Sequence, residues 1–226
     1  MLILAVDTTT FAGSVALLKK KNLLTEVNLE SPLTHSEKLL PAIHFVLQAN
    51  RLDIKDIEGF ALAVGPGSFT GIRIGLSTIK SFAYASEKPI APVSTLKALA
   101  LKLQYPKNRL VSPLLDAKKG EIYAALFESG RQELKEVIPQ GVYTPDGFFS
   151  RLPSHRIICF IGSGVDVYKE KIFFYFRGKA RLSSRSLFIA YEIGLLGYEL
   201  LRHKKGIGFQ ELGPLYFRKS QAEEKD

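Results

Sequence analysis

Tryptophan is absent from this 226-residue chain, and cysteine and methionine occur once each. The lone cysteine, Cys159, excludes an intramolecular disulfide. It lies in the apolar run Ile157 to Ile161 without charged neighbours inside that run, so it reads as a packing residue and not as a reactive thiol. Asn-x-Ser/Thr acceptors are missing too, which together with one cysteine suits a reducing cytoplasm. No export leader is expected, because the apolar start Met1 to Val6 is short, lacks a basic flank and stops at Asp7. The apolar stretch Leu187 to Leu201 carries Glu192 and Glu199 and therefore reads as a packed helix, not a membrane span.

Catalytic signatures are equally scarce. The four histidines are His35, His44, His155 and His203, and no two stand three or four residues apart. A helix needs that spacing to aim two imidazoles at one ion, so a metallopeptidase centre is not expected. No Gly-x-Ser-x-Gly elbow occurs, and Gly67-Ser68-Phe69-Thr70-Gly71 has no base in obvious reach. Acidic residues are the minority, 22 against 31 Lys and Arg, for a net charge of +9. The excess concentrates late: Lys169, Lys171, Arg177, Lys179, Arg181 and Arg185 face the single acid Glu170, interleaved with Phe173, Phe174, Tyr175 and Phe176. Such a patch suits RNA phosphates, an acidic partner or plain solvation, and no RNA-binding motif of known spacing accompanies it.

What the chain does contain is a distinctive loop, Gly65-Pro66-Gly67-Ser68-Phe69-Thr70-Gly71-Ile72-Arg73-Ile74-Gly75. It joins a strand-like run, Phe60 to Val64, to a helical pattern reaching about Ala85. Glycines permit close backbone approach, and a helix opening there would offer N–H groups to an anion. Neither nucleotide fingerprint fits: no Gly-Lys-Ser/Thr follows, and the glycines run GxGxxxG. Ser68 and Thr70 are candidate N-caps.

Around this loop the elements alternate. Leu2 to Asp7, Ser14 to Lys19 and Leu23 to Leu29 read as strands. A helix follows with Ser36 as N-cap and an apolar stripe of Leu39, Leu40, Ile43, Val46 and Leu47, its first turns disturbed by Pro41. The order β-β-β-α-β-α is the half-unit of the α/β, actin-like ATPase fold (ribonuclease H-like). A second, worn copy is expected from Leu110 to Leu115, Glu121 to Phe127, Glu133 to Ile138, a helix opened by Thr144-Pro145, a strand Ile157 to Ile161 and a helix Ser186 to Arg202. Two lobes follow, residues 1–105 and 106–226.

Several blocks in order carry a resemblance: Ala5-Val6-Asp7-Thr8-Thr9-Thr10, His35-Ser36-Glu37-Lys38-Leu39-Leu40-Pro41, the glycine loop, Pro92-Val93-Ser94-Thr95-Leu96, Leu115 to Tyr123, and Pro214 to Ser220. On these the chain resembles the TsaB (YeaZ) family, which helps make threonylcarbamoyladenosine at position 37 of tRNA. The resemblance implies the actin-like fold and a non-catalytic, required subunit that binds and stabilises a TsaD-like transferase. A TsaE-like ATPase would reset the complex, tRNA would be met through it, and the chain alone would form a homodimer.

By the same resemblance, Asp7, Thr8, Thr9, Thr10, Gly65 and Gly67 form a degenerate nucleotide site. Asp116-Ala117-Lys118-Lys119-Gly120 stands for a displaced second phosphate motif, and Ile161-Gly162-Ser163-Gly164 for an adenosine site. The chain would need no cofactor of its own, with ATP or ADP at the partner interface as the one candidate. The transferase carries two histidines four apart; here His35 matches the first and Leu39 replaces the second, which leaves His35 a capping or interface residue. Family members pair through two first-lobe helices, which makes His35, Leu39, Leu40, Ile43, Arg73, Leu76 and Lys80 the expected interface. The rival function is a small-molecule (sugar or acyl) kinase of the same fold.

Overall fold

The computed structural model describes residues 1–29, 34–103, 109–130 and 134–217. The C-terminal Arg218, Lys219 and Ser220 of the last sequence block, and Glu133, lie outside them. In chain order the structure runs β1 (Leu2–Asp7), β2 (Ser14–Lys19), β3 (Asn22–Asn28), α1 (His35–Ala49), β4 (Gly59–Gly65), α2 (Phe69–Ser86), β5 (Ile90–Ser94) and α3 (Thr95–Leu101). It continues with β6 (Leu110–Lys118), β7 (Glu121–Ser129), β8 (Leu134–Tyr143), α4 (Pro145–Phe149), β9 (Ile158–Ile161), α5 (Gly164–Val167), α6 (Lys169–Phe176), β10 (Ala180–Leu182) and α7 (Ala190–Arg202).

These elements form two compact units, Met1–Thr95 with Phe188–Tyr216, and Leu96–Leu187 with Phe217–Asp226. The division therefore falls ten residues before the expected 105, and the last helix returns to the first unit. The reason is packing: α7 lies on β1, β2, β4 and β5.

Each unit holds a five-stranded sheet, ordered β3-β2-β1-β4-β5 in the first and β8-β7-β6-β9-β10 in the second. In both, the first three strands form an antiparallel meander and the last two join in parallel. Parallel pairing needs a crossover, which α1 and α2 supply in the first unit and α4 with α5 and α6 in the second. The expected order thus appears twice, each copy extended by one more strand.

Alternation along the first sheet sorts its two faces. Leu4, Val6, Val15, Leu17, Phe60, Leu62 and Val64 point to one side and pack with Leu39, Ile43, Val46, Ile72, Leu76 and Ile79 from α1 and α2. The other side presents small residues, Ala5, Ala16, Ala61 and Ala91, all fully buried. α7 meets this side through Gly194 and Gly197; a Cβ on Gly197 would stand 2.4 Å from that of Ala61.

The second core is aromatic. Phe149, Phe160 and Phe176 meet edge-on or tilted at 5.3 to 6.4 Å, with Phe148 and Leu114 beside them. Phe176 therefore leaves the expected surface patch and belongs to the core, whereas Phe173 and Phe174 stay exposed.

Helix ends follow the expected chemistry with two differences. Thr34, not Ser36, caps α1: its N–H and hydroxyl both donate to Glu37, at 2.8 and 2.6 Å, and hold that carboxyl below its usual range. α1 then runs unbroken through Pro41, which sits on its exposed face. Ser68 caps α2, accepting the Gly71 N–H at 3.2 Å, and Thr70 is instead an exposed residue of its first turn.

Candidate functional site

Asp7, Thr8 and Thr9 close β1 at the centre of the first sheet, where the chain leaves the strand and must turn. Asp7 Oδ1 accepts both the N–H and the hydroxyl of Thr9, at 2.8 and 2.7 Å. Thr95 donates its hydroxyl to Thr9 Oγ1 at 3.1 Å. The three strand-end residues are almost wholly buried, and Asp7 Oδ2 has no hydrogen-bond partner among the described residues. Burial pushes the Asp7 carboxyl up to about 6, against the two Thr9 hydrogen bonds, which favour the charged form.

The glycine loop is built around this turn. Gly65, in the left-handed region at φ +119°, is linked to Pro66 by a cis peptide. Ser68 N–H then donates to Thr9 O at 2.7 Å, and Thr8 donates its hydroxyl to Gly71 O at 2.7 Å. A Cβ on Gly67 would lie 2.2 Å from Thr9 O, one on Gly71 1.9 Å from Thr8 O, and one on Gly75 2.6 Å from Thr8 Oγ1. The spacing that fits no nucleotide fingerprint is thus a packing seam. Glycine every fourth residue lets the start of α2 lie directly on the Asp-Thr-Thr turn. Of the six residues expected at a nucleotide site, Asp7 and Gly67 meet Thr9, Thr8 meets Gly71 and Gly75, Thr10 O accepts from His35, and Gly65 lies against Leu215 and Ile72; Thr8 and Thr9 spend their hydroxyls on protein partners, and Ser68 caps the helix.

His35 belongs to the same cluster. Its Nε2 donates to Thr10 O at 2.7 Å. Nδ1 is buried with no partner among the described residues, against the backbone at Gly13. His35 therefore ties α1 to the turn and stays half-buried. Among the described residues no group of three His, Cys, Asp or Glu side chains could hold a metal ion.

The second unit repeats the geometry in altered form. Gly162 follows β9 with φ +121°, much as Gly65 ends β4 with φ +119°, and its Cβ would stand 2.1 Å from Leu114 O on β6. Asp116 occupies the position of Asp7, near the end of the unit's first strand. Its carboxylate is taken by Lys118, whose Nζ and N–H both donate to it, at 2.8 and 2.9 Å. Partial burial raises the Asp116 carboxyl, but these bonds and the lysine charge more than offset it and leave it below the usual range. Lys118, Lys119 and Gly120 all have positive φ and make the β6–β7 turn. The displaced phosphate motif of the sequence is therefore a hairpin with an internal ion pair.

The expected interface residues divide by helix face. Leu39, Ile43 and Leu76 are buried in the first core, because the stripe they form seats α1 and α2 on the sheet. Leu40, Arg73 and, in part, Lys80 face outward, Arg73 reaching Tyr216 Oη at 3.3 Å. Two apolar residues the stripe analysis did not select join them: Phe45 is 59% exposed and Tyr84 68%, beside Leu40 at 54%. Phe45 lies off the stripe of Leu39, Leu40, Ile43, Val46 and Leu47, and a large apolar residue off the stripe is the signal the sequence offers. Tyr84 also packs edge-on against Phe209 at 5.1 Å.

Comparison with known proteins places this geometry. The profile of the family described as TsaD, tRNA N6-adenosine threonylcarbamoyltransferase, matches residues 30–174. The Bacillus subtilis tRNA threonylcarbamoyladenosine biosynthesis protein TsaB is 32% identical over 173 residues, 76% of this chain and 75% of that one. The Haemophilus influenzae TsaB is 30% identical over 179 residues, 74% of each chain. The crystal structure of YeaZ from Pseudomonas aeruginosa superposes with a TM-score of 0.80 at 26% identity, covering 95% of this chain and all of that one. An activator of 2-hydroxyisocaproyl-CoA dehydratase from Clostridium difficile, at TM-score 0.54 and 9% identity, shares the actin-like fold alone. Sequence and structure agree, and the chain belongs to the TsaB (YeaZ) family.

Proposed function

We propose that this chain is a non-catalytic but required subunit of the complex that forms threonylcarbamoyladenosine on tRNA, and that it binds and stabilises a TsaD-like transferase. The names of its relatives and the match to the transferase profile support a part in that pathway. One observation carries the scaffold role. Above a fully packed inner stripe, the adjacent helices α1 and α2 present Leu40, Phe45 and Tyr84 to solvent. Large aromatics on neighbouring helices of a folded unit are the material of a helix-on-helix interface. The occupied hydroxyls around Asp7 favour a supporting role over phosphoryl transfer by this chain alone.

In this reading the strip binds one conformation of the transferase better than others and so shifts its population without any group here reacting. Without the transferase the same strip pairs two copies of the chain, and ATP or ADP would sit at the interface with the partner. A TsaE-like ATPase completes the cycle, in the cytoplasm.

A drop-out reconstitution tests it. tRNA, ATP, threonine, bicarbonate, the adenylate-forming enzyme, TsaD and TsaE are combined with and without the chain, and the modified nucleoside is quantified by mass spectrometry. Product is expected only with the chain present and is expected to fall with Phe45→Glu. Equal product without the chain overturns the proposal.

A further inference from the structure

The second unit carries a basic hollow that the scaffold role leaves unused. It measures about 750 Å³ and gathers Arg109, Arg156, Arg181 and Arg185 around Cys159. Strand register explains why they meet. Arg181 of β10 and Val111 of β6 both pair with Cys159 of β9, so the three share one face of the sheet. Arg109, two residues before Val111, continues that face, and Ser183 continues it beyond Arg181. Ile158, Phe160 and Ala180 fill the core on the opposite face. Charge agrees with register, because Arg109 and Arg181 both act on the Cys159 thiol. The hollow stands at the start of β6, whereas Asp116 and the Gly162 turn stand at the far ends of β6 and β9. It is therefore separate from the worn phosphate motif.

The protein leaves most of this charge unbalanced. Arg156 Nη2 donates to Glu128 at 2.8 Å. Arg109, Arg181 and Arg185 make no ion pair among the described residues. Arg181 spends Nη1 on the carbonyls of Gly178 and Ala180, at 2.7 and 3.0 Å, and Arg185 spends Nη1 on Lys102 O at 2.7 Å. Backbone thus orients these two guanidiniums, and each keeps further N–H groups, the fork that matches phosphate oxygens. Ser183 Oγ accepts the Arg185 N–H at 3.1 Å, which leaves its own proton to donate.

The lining selects the kind of anion. Among the described residues no acid and no aromatic ring lines the hollow, so it offers no stacking platform for the bases of a strand. Leu103, Ile157 and Leu182 supply an apolar wall instead, with Ile157 53% exposed. Guanidiniums and a hydroxyl around one point suit the clustered oxygens of a single phosphate group. The wall suits a short organic body attached to it.

We propose that this hollow binds the phosphate group of a small molecule, with Arg109, Arg181 and Ser183 on its oxygens. The inference goes beyond the scaffold role and stands whether or not the chain pairs with a transferase.

The test is calorimetric titration of the full chain alone with inorganic phosphate, phenyl phosphate and the charge-matched dicarboxylate phthalate. Saturable binding of a phosphate probe at a single site is expected, with phthalate about tenfold weaker. Arg109→Gln and Arg181→Gln should each lower affinity about tenfold, the loss of one charge-assisted contact. Circular dichroism checks each fold, and two independent variants cover the case that one misfolds. Lys204→Gln with Lys205→Gln, on the first unit, should bind as the parent does. Tighter binding of phenyl phosphate than of inorganic phosphate assigns the site to a phosphate ester; the reverse order assigns it to the free ion. No saturable binding, undiminished binding by both arginine variants, or equal binding of phthalate overturns the proposal. Binding of an oligouridylate that the arginine variants lose, with neither phosphate probe bound, also overturns it, in favour of a nucleic-acid strand.

Discussion

Asp7 holds two carboxylate oxygens in different situations: Oδ1 accepts two hydrogen bonds from Thr9, and Oδ2 is buried without a partner among the described residues. Because the folded-state value is about 6, above the ordinary 3.8, folding favours the protonated acid. The native state then binds the extra proton, so the Asp7 contribution to stability is full below about pH 4. It is lost as pH rises through about 6 and is flat beyond. The rise from 3.8 to about 6 corresponds to about 3 kcal/mol. Asp7→Asn removes this slope, so the parent-minus-variant difference in urea stability should decline from pH 4 to pH 7; a constant difference would show that Oδ2 finds a partner. Gly71 makes the complementary case for backbone contact. Its absent Cβ leaves room for Thr8 O at 1.9 Å, so Gly71→Ala should cost about 1–3 kcal/mol or more in thermal unfolding. Gly213, with open space around it, should accept alanine within about 0.5 kcal/mol.

Helices α1 and α2 each present two apolar surfaces, and these have opposite fates. Leu76, 8% exposed, faces the sheet, so Leu76→Arg would bury an unpaired charge at a cost of several kcal/mol and unfold the unit. It therefore cannot report on partner binding. Phe45→Glu acts on the outer strip and should leave the unfolding free energy within about 0.5 kcal/mol of the parent, whereas Tyr84→Glu also gives up the edge-on contact with Phe209 and should cost about 1 kcal/mol. Under the proposed pairing of two copies, both variants should be monomeric in light scattering; an unchanged paired mass would remove this strip from the interface. Helix α7 shows a face made narrow on purpose: alanines on the sheet meet glycines on the helix, so Gly197→Val should push the helix away. About 1–3 kcal/mol of destabilisation is expected in urea unfolding.

For the molecule as a whole, the chain crosses from the first unit to the second near Thr95 and returns at Phe188. The first unit is therefore discontinuous, and α7 from its second segment lies on one side of its sheet. A chain ended at Leu187 leaves Ile3, Ala5, Ala61 and Ala91 uncovered. It should bind a hydrophobic dye strongly and lose the cooperative unfolding of the parent. Retained cooperativity would mean that α7 is dispensable. No helix among the described residues is long and apolar enough to cross a membrane.

The sequence by itself determined the local order: alternation over short runs marked the strands, Ser68 and Thr144 marked helix starts, and the repeated β-β-β-α-β-α order marked two similar units. These signals are local because side-chain period and capping depend on near neighbours. It also marked the glycine loop, though not its purpose. Only the tertiary structure decided what each surface meets. Gly67 and Gly71 lie against Thr8 and Thr9, some sixty residues away, and that contact turns an apparent phosphate loop into a packing seam. Cys159, without charged neighbours in its apolar run, has Arg109 and Arg181 beside it in space, yet burial still dominates and keeps its thiol above the usual range. Leu39 and Leu40 are equally apolar in sequence, and one is core while the other is surface. Periodicity gives a helix its faces, but which face is dry depends on the sheet that excludes water from it, and that sheet is assembled from distant parts of the chain.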